Sequence, residues 1–241
     1  AQELERDQPR EAIAIYQTLL GRNVDAHRVR MRLGKMLVVD GQVELAVKIL
    51  QENPRCTACG QQLGSMLANR GRERLRASQW DLARADLEVA AAVLPTAGVY
   101  LDLAQLFTLG GNGSSEAASQ AMVSAYPLLG GDAKLQERWA AIREDVVRAC
   151  IRGGDFTGAD RALEPEDPRV QMSDEERAKS RLMLRIDVAD ALKHAGKIDL
   201  AIKRVGPIWE TAEALGLSQD PGLRSRVLDL YAKGVAAALA A

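Results

Sequence analysis

The amino-acid sequence predicts an all-α protein, an α-solenoid of stacked antiparallel helix pairs. Three observations carry that prediction: a short motif recurs along the chain, helix breakers punctuate it, and the composition favours close helix packing. Of the 241 residues 47% are hydrophobic but only 4% are aromatic. Cores rich in Ala and Leu suit helices in close contact, whereas sandwiches draw on β-branched and aromatic residues. The chain is long enough to bury a substantial core, as one large domain or two small ones.

The motif is a turn residue, an apolar residue two later, Ala five later and a large apolar residue nine later. It reads Asp7, Pro9, Ala12, Tyr16, then Gly41, Val43, Ala46, Leu50, then Ser78, Trp80, Ala83, Leu87. It returns as Gly154, Phe156, Ala159, Leu163 and as Gly196, Ile198, Ala201, Val205, with a degenerate copy at Gly113, Ser115, Ala118, Met122. Successive alanines lie 34, 37, 35, 41 and 42 residues apart, so the array lengthens toward the C-terminus. Each position has a physical task. The glycines end a helix where a Cβ would resist a left-handed C-cap. The alanines mark where one helix must approach its neighbour closely, and the large residue four later lies on the same face. Breakers follow several second helices, at Asn53-Pro54, Pro95, Pro127 and Pro165.

This pattern resembles the tetratricopeptide repeat family over nearly the whole chain. Leu33-Gly34 followed by Leu37 is similar to the family's Leu-Gly pair and later bulky residue, and Pro95 to its closing proline. Arg30 and Leu67 stand where the family carries an early Trp, and the last two units exceed its repeat of about 34 residues. The resemblance implies a right-handed superhelix whose first helices line a concave groove. It also implies a non-enzymatic scaffold that binds a peptide or partner domain there. Its signature consists of packing residues and does not specify the partner. The competing architecture is a non-repetitive helical bundle.

In chain order, residues 1–24 read as the second helix of a truncated repeat or an N-terminal cap, with a helix over about 4–20. Its apolar face of Ala12, Ile13, Tyr16, Leu19 and Leu20 calls for a covering helix before Ala1, so the natural chain is expected to extend upstream. As a cap, it would instead turn Gln2, Glu5, Arg6 and Gln17 outward. Residues 25–127 hold tetratricopeptide-like repeats and 128–218 longer pairs, the pairs covering 25–52, 57–94, 97–126, 133–164 and 174–214. Residues 219–241 form a capping helix opened by Asp220-Pro221. Two stretches read as hinges: Gly110 to Ser115 is a solvated turn, and Leu163 to Pro168 an acidic loop before the strong helix start Ser173-Asp174-Glu175-Glu176.

Candidate chemistry is sparse. Cys56 and Cys59, after Asn53-Pro54 and beside Arg55, are expected on a first helical turn, where the helix dipole stabilises a thiolate. That permits a redox switch; burial at a helix contact is the competing reading. Metal binding is not expected, because Cys150, His27 and His194 belong to other repeats and zinc needs about four ligands. Arg28, Arg32 and Lys35 form one helical stripe, and Asn69, Arg72 and Arg76 an equivalent stripe one repeat later. Guanidinium groups bind carboxylates bidentately, so these six residues are the candidates for contact with an acidic partner. The competing reading is a solvated face paired with Asp25, Glu73 and Asp81.

No acid–base or nucleophilic set, phosphate loop or metal-carboxylate pair emerges, so neither an enzyme nor a cofactor is expected. Trp80, Trp139 and Trp209 are expected to fill core space. The formal net charge of −1 argues against nucleic acid. No apolar run approaches the roughly 18 residues of a membrane span, and no charged-then-apolar leader opens the sequence. Membrane insertion is therefore not expected and the cytoplasm is favoured. A start at Ala1 rather than Met is also compatible with a removed signal peptide and the periplasm. A second function class is a segment of a larger assembly that contacts neighbours through helix edges or ends.

Overall fold

A computed structural model describes residues 4–22, 26–51, 57–110, 114–166, 168–169 and 172–240. It is all-helical, with no strand among the described residues. The helices are α1 (Leu4–Asp7), α2 (Pro9–Gly21), α3 (Ala26–Val39), α4 (Val43–Gln51), α5 (Thr57–Arg76) and α6 (Trp80–Val93). They continue as α7 (Ala97–Leu109), α8 (Ser115–Ala125), α9 (Ala133–Gly153), α10 (Phe156–Leu163), α11 (Asp174–His194), α12 (Ile198–Ala214) and α13 (Pro221–Ala240). Single 3-10 turns sit at Tyr126–Leu128 and Leu217–Gln219. The expected first helix over 4–20 is divided, because Pro9 opens α2 without a backbone N–H and Gln8 before it leaves helical geometry (φ −141°, ψ 65°).

The motif positions act as their chemistry requires. Gly41, Ser78, Gly154 and Gly196 all adopt left-handed backbone, with φ of 85°, 57°, 72° and 75°. Each makes the same pair of bonds. The N–H of Gly41 donates to the Val38 carbonyl and that of Gln42 to Leu37, at 3.2 and 2.8 Å. Ser78 and Gln79 repeat this on Leu75 and Arg74, Gly154 and Asp155 on Ile151 and Cys150, and Gly196 and Lys197 on Lys193 and Leu192. This double closure satisfies the last carbonyls of a helix and reverses the chain into the next one. Ala12, Ala46, Ala83, Ala118 and Ala159 are wholly buried, and Ala201 nearly so.

The chain forms two compact units, Ala1–Val99 and Tyr100–Ala241, dividing within α7. In the first, α2 packs on α3, α3 on α4, and α5 on α6. Leu33, Leu37, Leu50, Leu63 and Leu67 fill a core that α2 closes with Ile13 and Tyr16. Gly34 permits the α3–α4 approach, since a Cβ there would stand 2.5 Å from a Leu50 methyl. Asp86 of α6 is 2% exposed. Its carboxylate accepts from Arg70 Nε and Nη2 at 2.8 and 2.6 Å and from Arg74 Nη1 at 2.7 Å, joining α6 to α5. Arg70 also donates to the Val38 carbonyl, tying α5 to the end of α3.

In the second unit α8, α9 and α10 pack together, and α11, α12 and α13 follow. Trp139 is wholly buried, donates from its indole N–H to the Met122 carbonyl at 3.2 Å, and lies under the Arg143 guanidinium. Trp80 and Trp209 differ from expectation: both are half-buried, and Trp209 donates to Glu213 at 2.8 Å. Each sits one side of its helix's buried stripe, so only part of the indole reaches the core. Leu182, Ile186, Val205, Ile208, Leu223 and Val227 make the core of the last three helices. The start of α11 is a capping box: Ser173 Oγ accepts from the Glu176 N–H at 3.1 Å while the Glu176 carboxylate accepts from the Ser173 N–H at 3.1 Å. No helix among the described residues is long and apolar enough to cross a membrane.

Candidate functional site

The outward stripe of α3 lines a recess of about 480 Å³ in the first unit. His27, Arg28, Met31, Arg32 and Lys35 supply one wall, while Glu5 of α1 and Gln62 of α5 complete it. Residues 28, 31, 32 and 35 are three and four apart, so one face of α3 presents them together. The opposite face, with Val29, Leu33, Met36 and Leu37, is committed to the core. Gln62 Nε2 lies 3.5 Å from the Met31 carbonyl, which places α5 against this wall.

The three basic residues do not share one environment. Arg32 Nη1 donates to Glu5 Oε1 at 2.7 Å, and the Tyr16 hydroxyl donates to the same oxygen at 2.5 Å. Burial raises the Glu5 pKa, but the two hydrogen bonds and the charges of Arg32 and Lys35 outweigh it and hold the carboxyl below its ordinary value. Burial and the Glu5 hydrogen bond raise the Tyr16 hydroxyl in turn. Arg32 thus anchors α3 to the end of α1. Arg28 and Lys35 are exposed at the recess, with no hydrogen bond or ion pair among the described residues. Of the two, Lys35 acts on Glu5 only through its charge, without a direct ion pair.

The second stripe lies apart from this recess. Gln62, Asn69 and Arg76 succeed one another at two-turn intervals, so Asn69 and Arg76 continue the line that Gln62 begins. Arg72 donates to Asn69 Oδ1 at 2.9 Å and to the Ala68 carbonyl at 3.3 Å, which holds it along its own helix. Arg76 is exposed at the end of α5. Asp25, one acid expected to neutralise these stripes, lies outside the described residues; for Arg32 the acid is Glu5. Sequence reasoning missed Glu5, Tyr16, Met31 and Gln62 as members of the site. Met31 was visible as the apolar step between Arg28 and Lys35. Glu5 and Gln62 reach the recess only because other helices pack against α3.

Cys59, near the start of α5, is wholly buried and disulfide-bonded, whereas Cys56 lies outside the described residues. Cys150 is a free, wholly buried thiol whose Sγ lies 3.6 Å from the Ser115 carbonyl. Burial and the nearby Asp155 push its pKa up to about 11, the reverse of an activated nucleophile. Among the described residues no group of three or more metal-ligating side chains forms. No protein-family model matches the chain, and no curated protein matches it either.

Proposed function

We propose that this chain is a non-enzymatic binding module, a tetratricopeptide-like helical array that captures an acidic peptide segment against α3. The single observation that carries the reading is the recess in which Arg28 and Lys35 stand exposed, with no hydrogen bond or ion pair among the described residues. Their neighbours Met31 and Gln62 offer an apolar surface and an amide, which suits a peptide carrying carboxylates beside an apolar side chain. Four identical helix closures and six buried motif alanines support the repeat reading within each unit. Stacked repeats expose extended surfaces without needing a large globular core, the usual basis of peptide capture by such arrays.

Fluorescence anisotropy with a labelled Glu/Asp-rich peptide, beside its Gln/Asn counterpart, tests the proposal. The acidic peptide should bind at least tenfold more tightly, and Arg28→Ala with Lys35→Ala should remove most of that difference. Added salt should weaken the binding, because the contacts are exposed. Equal affinity for the two peptides would overturn it.

A second reading, a segment of a larger assembly that contacts neighbours through its end, draws on α13, where Leu228 and Tyr231 are 55% and 39% exposed one turn apart. Light scattering with Leu228→Glu separates it: an assembly would dissociate, whereas a peptide-binding monomer would be unchanged.

A further inference from the structure

The second unit holds its own recess, of about 350 Å³, between α10, α11 and α12. Leu163, Pro207 and Ile208 give it apolar walls, and Arg185 and Lys203 enter it from two different helices. A smaller pocket, bounded by Arg181, Leu182 and Thr211, also includes Arg185, so this one side chain serves both spaces.

The charges around it do not cancel. Asp160 is occupied by Arg204, whose Nη2 and Nε both reach its carboxylate, the latter at 3.4 Å. Glu164 also borders the recess but is exposed to water. Arg181 caps the end of α10, donating to the Leu163 and Glu164 carbonyls at 3.1 and 2.8 Å. Carbonyls satisfy its hydrogen bonds without neutralising its charge. Arg185, one turn further along α11, is half-buried and forms no hydrogen bond or ion pair among the described residues. Burial first, and the neighbouring Arg181 second, pull its pKa below the ordinary value, with Asp160 acting weakly the other way. A guanidinium set among apolar walls beside a like charge is a costly arrangement that an anion would relieve.

We infer that this recess binds a small amphiphilic carboxylate, its carboxylate paired with Arg185 and Lys203 and its apolar body against Leu163, Pro207 and Ile208. The volume equals that of roughly a dozen waters, which admits a medium-chain acid and excludes a folded partner. Charge selects the head, because the planar guanidinium donates two parallel hydrogen bonds to a carboxylate. The apolar walls select the body. The site lies wholly within the second unit.

Isothermal titration calorimetry of the full chain with octanoate tests the inference, with 1-octanol and inorganic phosphate as comparison probes. Octanoate should bind with a dissociation constant near or below about 1 mM, and each comparison probe at least tenfold more weakly. Arg185→Met, which keeps the apolar stem, should weaken octanoate at least tenfold, and Arg185→Lys about threefold. Lys203→Met, at an exposed position, should cost about threefold and decides the matter if Arg185→Met does not fold. Absence of binding at 10 mM octanoate would overturn the inference. So would phosphate or octanol binding as tightly as octanoate, or affinity untouched by both the Arg185 and the Lys203 substitutions.

Discussion

Replacing Asp86 by Ala should destabilise the first unit by about 3 kcal/mol, far more than loss of a surface ion pair. Asp86 accepts three hydrogen bonds from two guanidinium groups, at 2.8, 2.6 and 2.7 Å, with its own side chain 3% exposed. Its partners Arg70 and Arg74 are 19% and 23% exposed. Removing the carboxylate leaves two like charges one turn apart with their common acceptor gone. Breaking such a buried cluster typically costs about 3–5 kcal/mol. The lower end applies here, because both guanidiniums retain some water and keep carbonyl acceptors on Val38 and Leu82. With an m-value of about 2 kcal/mol/M, the urea midpoint should fall by about 1.5 M. Trp80 is the sole tryptophan before residue 100, so its fluorescence in a Trp139→Phe, Trp209→Phe background reports this unit alone. A second arm separates cluster from shape: Arg70→Met, Arg74→Leu and Asp86→Leu together should return stability to within about 1 kcal/mol of the parent, since an apolar replacement avoids the desolvation cost. A loss below about 1 kcal/mol for Asp86→Ala would refute the reasoning and make the cluster equivalent to a solvated pair.

Three other outcomes follow from the same contacts. Ser78 carries left-handed backbone (φ 57°) where the equivalent turns use glycine. Ser78→Gly should relieve about 1 kcal/mol of strain, lose part of it to unfolded-chain entropy, and raise the thermal midpoint by about 1–2 °C; a lower midpoint contradicts the turn assignment. Cys150, buried and with its pKa raised to about 11, should be alkylated at pH 8 only as fast as its unit opens, so iodoacetamide labelling should accelerate with urea. Rapid labelling of the native protein would exclude that environment. For Asp190, burial raises the pKa, but hydrogen bonds from Lys193 and Arg226 outweigh it and hold the group below 3.8. A carboxyl depressed in the fold adds stability above its unfolded pKa and loses that contribution as pH falls through the folded value. Urea midpoints of the second unit should therefore drop below about pH 4, less steeply in Asp190→Asn. Identical slopes would remove Asp190 from the account.

The helices were legible in the sequence because local chemistry decides them. A glycine that must turn left-handed, an alanine five residues on and a large residue nine on each report a requirement of one turn or one helix face. The stretches expected to be helical over 25–52, 57–94, 97–126, 133–164 and 174–214 therefore hold α3 through α12. Even Ser78 was identifiable as a turn by its place in the motif, although its side chain is a poor choice for that backbone. Pro9 shows the limit within a single helix, where the apolar stripe reads through a break that the missing N–H imposes.

The candidate sites divide along the same line. That Arg28, Arg32 and Lys35 share a face follows from helical periodicity alone. That Arg32 is consumed by Glu5, 27 residues away, while Arg28 and Lys35 are left at the recess, depends on how α1 and α5 pack against α3. The Asp86 cluster and the Arg185 recess are equally invisible in one dimension, since charged residues are scattered along every helix here. Sequence by itself determined where helices begin, end and bury a face, because those choices are settled among residues a few positions apart. Only tertiary structure decided which charges meet, because Coulomb interactions and hydrogen bonds act through space between helices and carry no sequence period.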